Sequence, residues 1–204
     1  MRSNQQPAYV LHTIAYRETS LIAEMWTRDA GKVSVLAKGA RRPHSALKPV
    51  LLSFQPLLIS MSGKSEVKTL TAAEWVGGHL PPDGDALFSA YYLNELLMRG
   101  LLRDDPHPAL FDAYALAIAR LASGLSVAPV VRHFEIGLLA ELGYGLTDAD
   151  VRPIVSGGLE TCQAGSLMSD EQALQLRPLT RERLSECMGW QPLMTRLWME
   201  QLKK

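Results

Sequence analysis

Apolar and polar residues alternate along the first eighty positions, and the period then lengthens. From Ala8 to Tyr16, Val10, His12, Ile14 and Tyr16 fall on one face of an extended chain and Tyr9, Leu11, Thr13 and Ala15 on the other. Ser20–Thr27 follows with Ile22, Met25 and Trp26, and Asp29-Ala30-Gly31 makes a tight turn into Lys32–Lys38. In that strand Val33, Val35 and Ala37 face one way and Lys32, Ser34, Leu36 and Lys38 the other, the pattern of one buried face. Val50–Met61 is apolar but holds Pro56, which predicts a bent or edge strand because proline has no N–H to donate to a ladder. Ser62-Gly63-Lys64 turns the chain into Glu66–Trp75. Five short strands in roughly 70 residues fit a small closed barrel, of which the OB-fold is one example. An SH3-like barrel or an open sheet fits the same count.

After Gly77-Gly78 the spacing becomes helical. Asp83 or Asp85 can cap a helix carrying Leu87, Tyr91, Leu97 and Leu101, which Asp104-Asp105-Pro106 ends. A second helix starts near Pro108 and stops at Gly124. A third opens with Pro129, places Val131, Phe134, Leu138 and Leu142 on one face, and ends at Gly143. Residues 144–168 read as an irregular insertion. Ser169-x-x-Gln172 is a capping box opening a short helix that Pro178 ends, and Thr180–Met188 and Pro192–Leu202 read as the last two helices. The expected fold class is therefore α+β: a β-barrel domain over residues 1–78 and an α-helical domain over 79–204.

The 204 residues carry zero formal net charge, which argues against a nucleic-acid binder until the chain is divided. Residues 1–80 hold ten Lys and Arg against five Asp and Glu, and residues 81–204 hold eleven against sixteen, so the parts carry +5 and −5. The stretch Ala30–Ser65 has six basic residues and no acidic one: Lys32, Lys38, Arg41, Arg42, Lys48 and Lys64. A cationic loop (Arg41-Arg42-Pro43-His44-Ser45) beside a cationic strand face suits a polyanion, because phosphates attract Lys and Arg without strict geometry. Lys68 adds a further cation in the following strand. Barrels of this kind bind single strands by pairing such a face with aromatic platforms. Tyr16, next to Arg17, is the leading platform. Tyr9, Trp26, Phe54 and Trp75 are further candidates, although Trp26 and Phe54 sit among apolar neighbours.

No enzyme chemistry is visible. The five histidines form no His-x-x-x-His pair, and there is neither a Gly-x-x-x-x-Gly-Lys-Ser/Thr nor a Gly-x-Ser-x-Gly motif. Asp104-Asp105 and Asp148-x-Asp150 are the acidic pairs that a metal-dependent nuclease would need. Cys162 and Cys187 are too few for a disulfide framework or a four-thiolate zinc site, so no cofactor or metal is expected. The N-terminus has no apolar signal core and no run is long enough to cross a membrane, which predicts a cytoplasmic setting.

Several runs, in order, resemble the RecO family of bacterial recombination mediators: Ala8-Tyr-Val-Leu-His-Thr, Tyr16-Arg-Glu-Thr-Ser-Leu21, Gly31-Lys-Val-Ser-Val-Leu-Ala-Lys-Gly-Ala-Arg41, Glu66-Val-Lys-Thr-Leu70, Tyr91-Tyr-Leu-Asn-Glu-Leu-Leu97, Arg132-His-Phe-Glu-Ile-Gly-Leu-Leu139 and Leu142-Gly-Tyr-Gly145. The resemblance covers about residues 8–145. It implies an N-terminal OB-fold and a helical C-terminal domain. It also implies binding of single- and double-stranded DNA, strand annealing, and help in loading RecA onto DNA coated with single-strand-binding protein (SSB). RecR is the implied partner, and the acidic tail of SSB would dock on the helical domain. Arg132 matches a basic position in the family's helix, and Leu139, two turns on, would line the pocket for the tail's apolar end. Some members carry a four-cysteine zinc site in the region matching 144–168. Here Ser156-Gly-Gly-Leu-Glu-Thr-Cys162 keeps one cysteine, so zinc is not expected. The charge pattern alone also admits an RNA-binding or regulatory OB module.

Overall fold

A computed structural model of the chain describes residues 2–163, 168–189, 193–195, 198 and 201, with the backbone alone for 2–4 and 161–163. Five strands, β1 (Arg2–Tyr16), β2 (Ser20–Thr27), β3 (Gly31–Ala37), β4 (Leu57–Ser62) and β5 (Val67–Trp75), close into an OB-like barrel in the order β1-β2-β3-β5-β4. Every pairing is antiparallel except β3 with β5. The long β1 serves two neighbours: its first part pairs with β4 up to Ala8↔Leu57, and from Ala8 onward it pairs with β2. A register shift between Val10 and His12 gives it the bend this needs. The interior holds Val10, Met25, Val33, Val35, Leu57, Ile59, Met61 and Leu70, with Ala8, Ala23 and Ala37 where a narrow barrel has no room for more.

Two strand boundaries differ from the alternation: β1 starts at Arg2, ahead of Ala8, and β4 starts late. β4 begins only after Pro56; Val50–Gln55 is a turn-rich segment in which Phe54 takes a left-handed backbone (φ 69°) and is itself buried. Proline's missing donor explains why the ladder starts beyond it.

The chain divides into two compact units. Residues up to Pro81 cluster with Leu101–Asp112, and Pro82–Gly100 with the residues from Ala113 on. In the first unit Leu101–Asp112 covers the outer face of β2 and β3. Phe111 packs on Tyr9 (ring centroids 5.5 Å apart) and edge-on to Trp26 (5.3 Å). Arg103 bonds Glu24 (3.1 Å) and Ser34, whose hydroxyl also donates to Glu24 (2.6 Å). The Asp104 N–H donates to the Lys32 carbonyl (3.0 Å), and Lys68 pairs with Asp104 (2.7 Å). The segment approaches so closely that a Cβ on Gly31 would lie 2.3 Å from the Asp105 carbonyl oxygen, and Gly31 also needs φ +72° for its turn.

In the second unit α3 (Val127–Glu141) lies at the centre, following α1 (Gly84–Gly100) and α2 (Pro108–Ala122), whose first turn clusters with the strands. α3 is buried nearly all round, including Arg132 and Glu135, where a one-faced amphipathic helix was expected. His133 on the same helix is half-buried, and burial, with Arg120 adding, holds its pKa down. The stretch read as irregular forms α4 (Asp148–Val151) and α5 (Gly158–Gln163) around a small core of Leu146, Val151, Val155 and Met168 against Ile136 and Leu176. Thr147 caps α4 through a reciprocal box with Asp150. The box of Ser169 and Gln172 opens α6 as expected, but α6 runs unbroken from Asp170 to Met188 with Pro178 inside. Two expected helices are thus one. The hydrogen bond that proline deletes is outweighed because Ala173, Leu176, Thr180 and Leu184 bury one continuous face on both sides of it. The helix expected over 192–202 falls largely outside the described residues, as do Leu197, Leu202 and the terminal lysines. Its described start is held by Glu95, which accepts from the N–H groups of Met194 (2.8 Å) and Thr195 (2.9 Å) and from the Thr195 hydroxyl (2.6 Å).

Phe111→Ala should destabilise the protein by about 3–5 kcal/mol, the cost of emptying a buried aromatic site, read as a lower urea midpoint with an unchanged slope. Glu95 gives a pH-dependent counterpart. Burial pushes its carboxyl up, but hydrogen bonds from Thr195 and Met194, with Arg99, overcome this and hold it below the ordinary 4.5. Its stabilisation is then complete above that value and lost as pH falls through the lower folded one. Glu95→Gln should cost about 1 kcal/mol at neutral pH, and the difference from the parent midpoint should vanish in acid.

Candidate nucleic-acid interface

The loop after β3 is built by successive turns. The Arg42 N–H donates to Gly39 (3.1 Å), Ser45 to Arg42 (3.1 Å), Lys48 to Ser45 (3.3 Å) and Leu51 to Leu47 (3.0 Å). Its apolar residues, Ala40, Leu47, Val50 and Leu51, are packed into the barrel core. Anchoring the apolar side leaves Lys38, Arg41, Arg42, His44 and Lys48 exposed on the other. The loop is also fastened to the β1–β2 turn: the Arg41 N–H donates to the Thr19 carbonyl (2.9 Å), its guanidinium to the Arg17 carbonyl (3.2 Å), and the Gly39 N–H to the Ser20 hydroxyl (3.4 Å). These bonds bring Tyr16 and Arg17 to the basic loop, with the Arg17 guanidinium 5.2 Å above the Tyr16 ring. Arg17 was not among the predicted site residues. Its only mark in the sequence is its place in a three-residue turn after Tyr16.

The other candidates are spread out. Lys64 is exposed on the β4–β5 turn, outside the loop. Lys32 and Lys68 belong to the layer beneath Leu101–Asp112. Lys32 is 7% exposed; burial, with Arg103 adding and Glu24 opposing, lowers its pKa. Lys68 is paired with Asp104. Among the aromatics, Tyr9, Trp26 and Phe54 are buried, and burial raises the Tyr9 phenol to about 12. Trp75 is exposed at the end of β5, and Tyr16 is half-buried. Among the described residues no acid pairs with Lys38, Arg42 or Lys48, so these cations remain available to phosphate.

The second unit holds a pocket of about 360 Å³ between α1, α3 and α6. Phe88, Val127, Val131 and Leu174 supply apolar wall, and Arg132, Arg177 and Arg181 supply positive charge. Arg132 is buried and bonds Glu135 and Thr180, while Tyr92 donates to Glu135 (2.6 Å). Among the described residues the buried Arg132 Nε has no hydrogen-bond partner. Arg177 and Arg181 are exposed one turn apart on α6. Leu139 is fully buried and is not part of the pocket wall.

The acidic pairs have structural duties. Asp148 accepts from Arg152 (2.7 Å) and from the Leu159 N–H (3.1 Å), and Asp150 closes the Thr147 capping box. Both carboxyls are held below their usual range, Asp148 first by Arg152 and Asp150 first by the Thr147 N–H. Asp104 holds Lys68, and Asp105 faces His107 at 3.4 Å. Among the described residues no group of three His, Cys, Asp or Glu gathers to hold a metal. The Cys162 side chain lies outside them, and burial pushes the Cys187 thiol up. No described helix is long and apolar enough to cross a membrane.

A closed OB-like barrel with a basic loop, followed by helices, fits a DNA repair protein, and the comparisons show such a family. The family described as "Recombination protein O N terminal" matches residues 1–79 and "Recombination protein O C terminal" matches 81–148. A DNA repair protein RecO from Azoarcus sp. (strain BH72) is 43% identical over 235 residues, covering 98% of this chain and 97% of the relative. Those from Burkholderia lata and Aromatoleum aromaticum are 57% and 58% identical over 145 residues, covering 71% of this chain and 52% and 60% of theirs. The chain belongs to the RecO family of DNA repair proteins.

Replacing Lys38 and Arg42 together by Ala should reduce the salt slope of single-strand binding by roughly 1.4, at ~0.7 per phosphate contact. Fluorescence anisotropy across a salt series measures it; an unchanged slope moves the contact elsewhere.

Proposed function

We propose that this chain binds single- and double-stranded DNA at the loop end of its barrel, anneals complementary strands, and helps load RecA onto SSB-coated DNA without itself catalysing a reaction. The observation that carries the reading is the gathering of Lys38, Arg42 and Lys48, unopposed by acid, beside the Tyr16–Arg17 stack. Lys64, on the β4–β5 turn, lies at the opposite end of the barrel and is not part of this gathering. The commitment of the four aspartates to caps and ion pairs disfavours a nuclease. RecR is proposed as a partner on family grounds alone.

The same reading gives the pocket of the helical domain to the SSB tail, an acidic peptide with an apolar end. Arg177 and Arg181 meet its carboxylates, and the apolar wall takes the end residue. The Arg132 guanidinium lies buried at the floor, taken by Glu135 and Thr180. The arginines of α6 therefore replace Arg132 as the main grip, and Val131 and Leu174 replace Leu139 as its apolar complement. A planar guanidinium suits a carboxylate because it donates two parallel bonds.

The decisive test is annealing of complementary strands precoated with SSB; no acceleration by the protein rejects the mediator reading. Equal or tighter binding of RNA than of single-stranded DNA of the same sequence would favour the RNA-module alternative instead. For the pocket, Arg177→Ala with Arg181→Ala should weaken a labelled acidic tail peptide by about 1.5–3 kcal/mol for each charged hydrogen bond lost, and leave naked DNA binding intact.

A further inference from the structure

Arg17 stands at a left-handed backbone position (φ 52°) in the three-residue turn between β1 and β2, which costs strain for any side chain bearing a Cβ. Its carbonyl is held by the Arg41 guanidinium and the turn's last carbonyl, that of Thr19, by the Arg41 N–H. Pinned in this way, the turn directs the Arg17 side chain back over the ring of Tyr16, at 5.2 Å. One ring face is thereby covered by a planar cation. Arg17 is exposed, and among the described residues no acid pairs with it.

We infer that Tyr16 and Arg17 form a two-tier stacking platform for one unpaired base, with the adjacent Lys38 and Arg42 taking the phosphates that flank it. This rests on the DNA-binding reading above and adds to it a preference at this end of the barrel. A guanidinium plane stacks on a base as it does on an aromatic ring, and the ring beneath supports it by cation–π attraction. A base inside a duplex already has neighbours on both faces and cannot enter, whereas a single strand can splay one out. Phosphate contacts alone would treat both forms by charge. The platform makes this site a reader of exposed bases, without discriminating among them, since every base has a π-face.

The test uses the full chain and three labelled probes: an oligothymidine, the same strand carrying abasic residues, and a duplex. The parent should bind the intact strand more tightly than the abasic one. Tyr16→Leu keeps the apolar bulk and Arg17→Lys keeps the charge, yet each removes a stacking plane. Each should weaken the intact strand roughly tenfold, leave the abasic strand and the duplex unchanged, and so erase the gap between intact and abasic. Tyr16→Phe should behave as the parent. Arg17 is exposed, so its variant stays informative should Tyr16→Leu melt early. A parent that binds intact and abasic strands equally, while Lys38→Ala with Arg42→Ala still lowers the salt slope, overturns the platform and leaves the phosphate site standing. An unchanged salt slope together with unaltered binding by Tyr16→Leu and Arg17→Lys overturns both.

Discussion

Glu135 has no exposed surface, and a carboxylate in that position survives only if it is held from several sides. Arg132, one turn earlier on the same helix, supplies the opposite charge; Tyr92 of α1 supplies a hydroxyl; and Thr180 of α6 takes the remaining reach of the arginine. Three helices are thus tied through one buried charge. Removing a single member of such a cluster leaves the others desolvated and unpaired, which costs more than the cluster's net contribution to stability. The same three helices wall the pocket, and a floor made of bonded polar groups keeps its shape where a purely apolar floor could close by repacking.

The first unit handles charge by segregation. On the outer face of β2 and β3, Glu24, Lys32, Ser34, Lys68, Arg103 and Asp104 form one interlocked layer, and Arg28 and Asp112 fasten its edge with two hydrogen bonds (3.0 and 2.8 Å). Cations there are balanced within the layer. Those on the loop after β3 are not, so the positive excess of the first eighty residues is concentrated at one end of the barrel. Apolar anchoring of Ala40, Leu47 and Leu51 holds that loop, and among the described residues Arg41, on the Arg17 carbonyl, is the one of its cations engaged.

Local patterns were a good guide wherever the answer was local. Alternation placed Val33, Val35 and Ala37 inside the barrel, and the capping box at Ser169 located the start of α6. It failed where a distant segment decided. Lys32 does point away from the barrel interior, as its register implies, but Leu101–Asp112 covers it, and nothing near Lys32 announces a partner seventy positions away. Pro178 shows the same limit in a helix: its own chemistry says stop, and burial of its neighbours says continue. Arg132 was expected, from the family resemblance, to meet an acidic tail; its spacing to Glu135 gives no sign that both are buried, which only packing reveals. Leu139 shares a helix side with Arg132 and is nevertheless core. Arg17 went unread because turn residues carry no periodicity.

The return of Leu101–Asp112 to the barrel bears on how the chain folds as it is made. Synthesis proceeds from the N-terminus, and the five strands are all available once Trp75 has left the ribosome. Their interior can then collapse, but the outer face of β2 and β3, with Trp26, Glu24 and Lys32, is covered only after α1 has been translated and Phe111 has followed it. During that interval the nascent barrel shows an apolar aromatic patch and naked charges to its surroundings. An N-terminal fragment ending at the last strand would lack this cover, which the compact unit of the barrel includes up to Asp112.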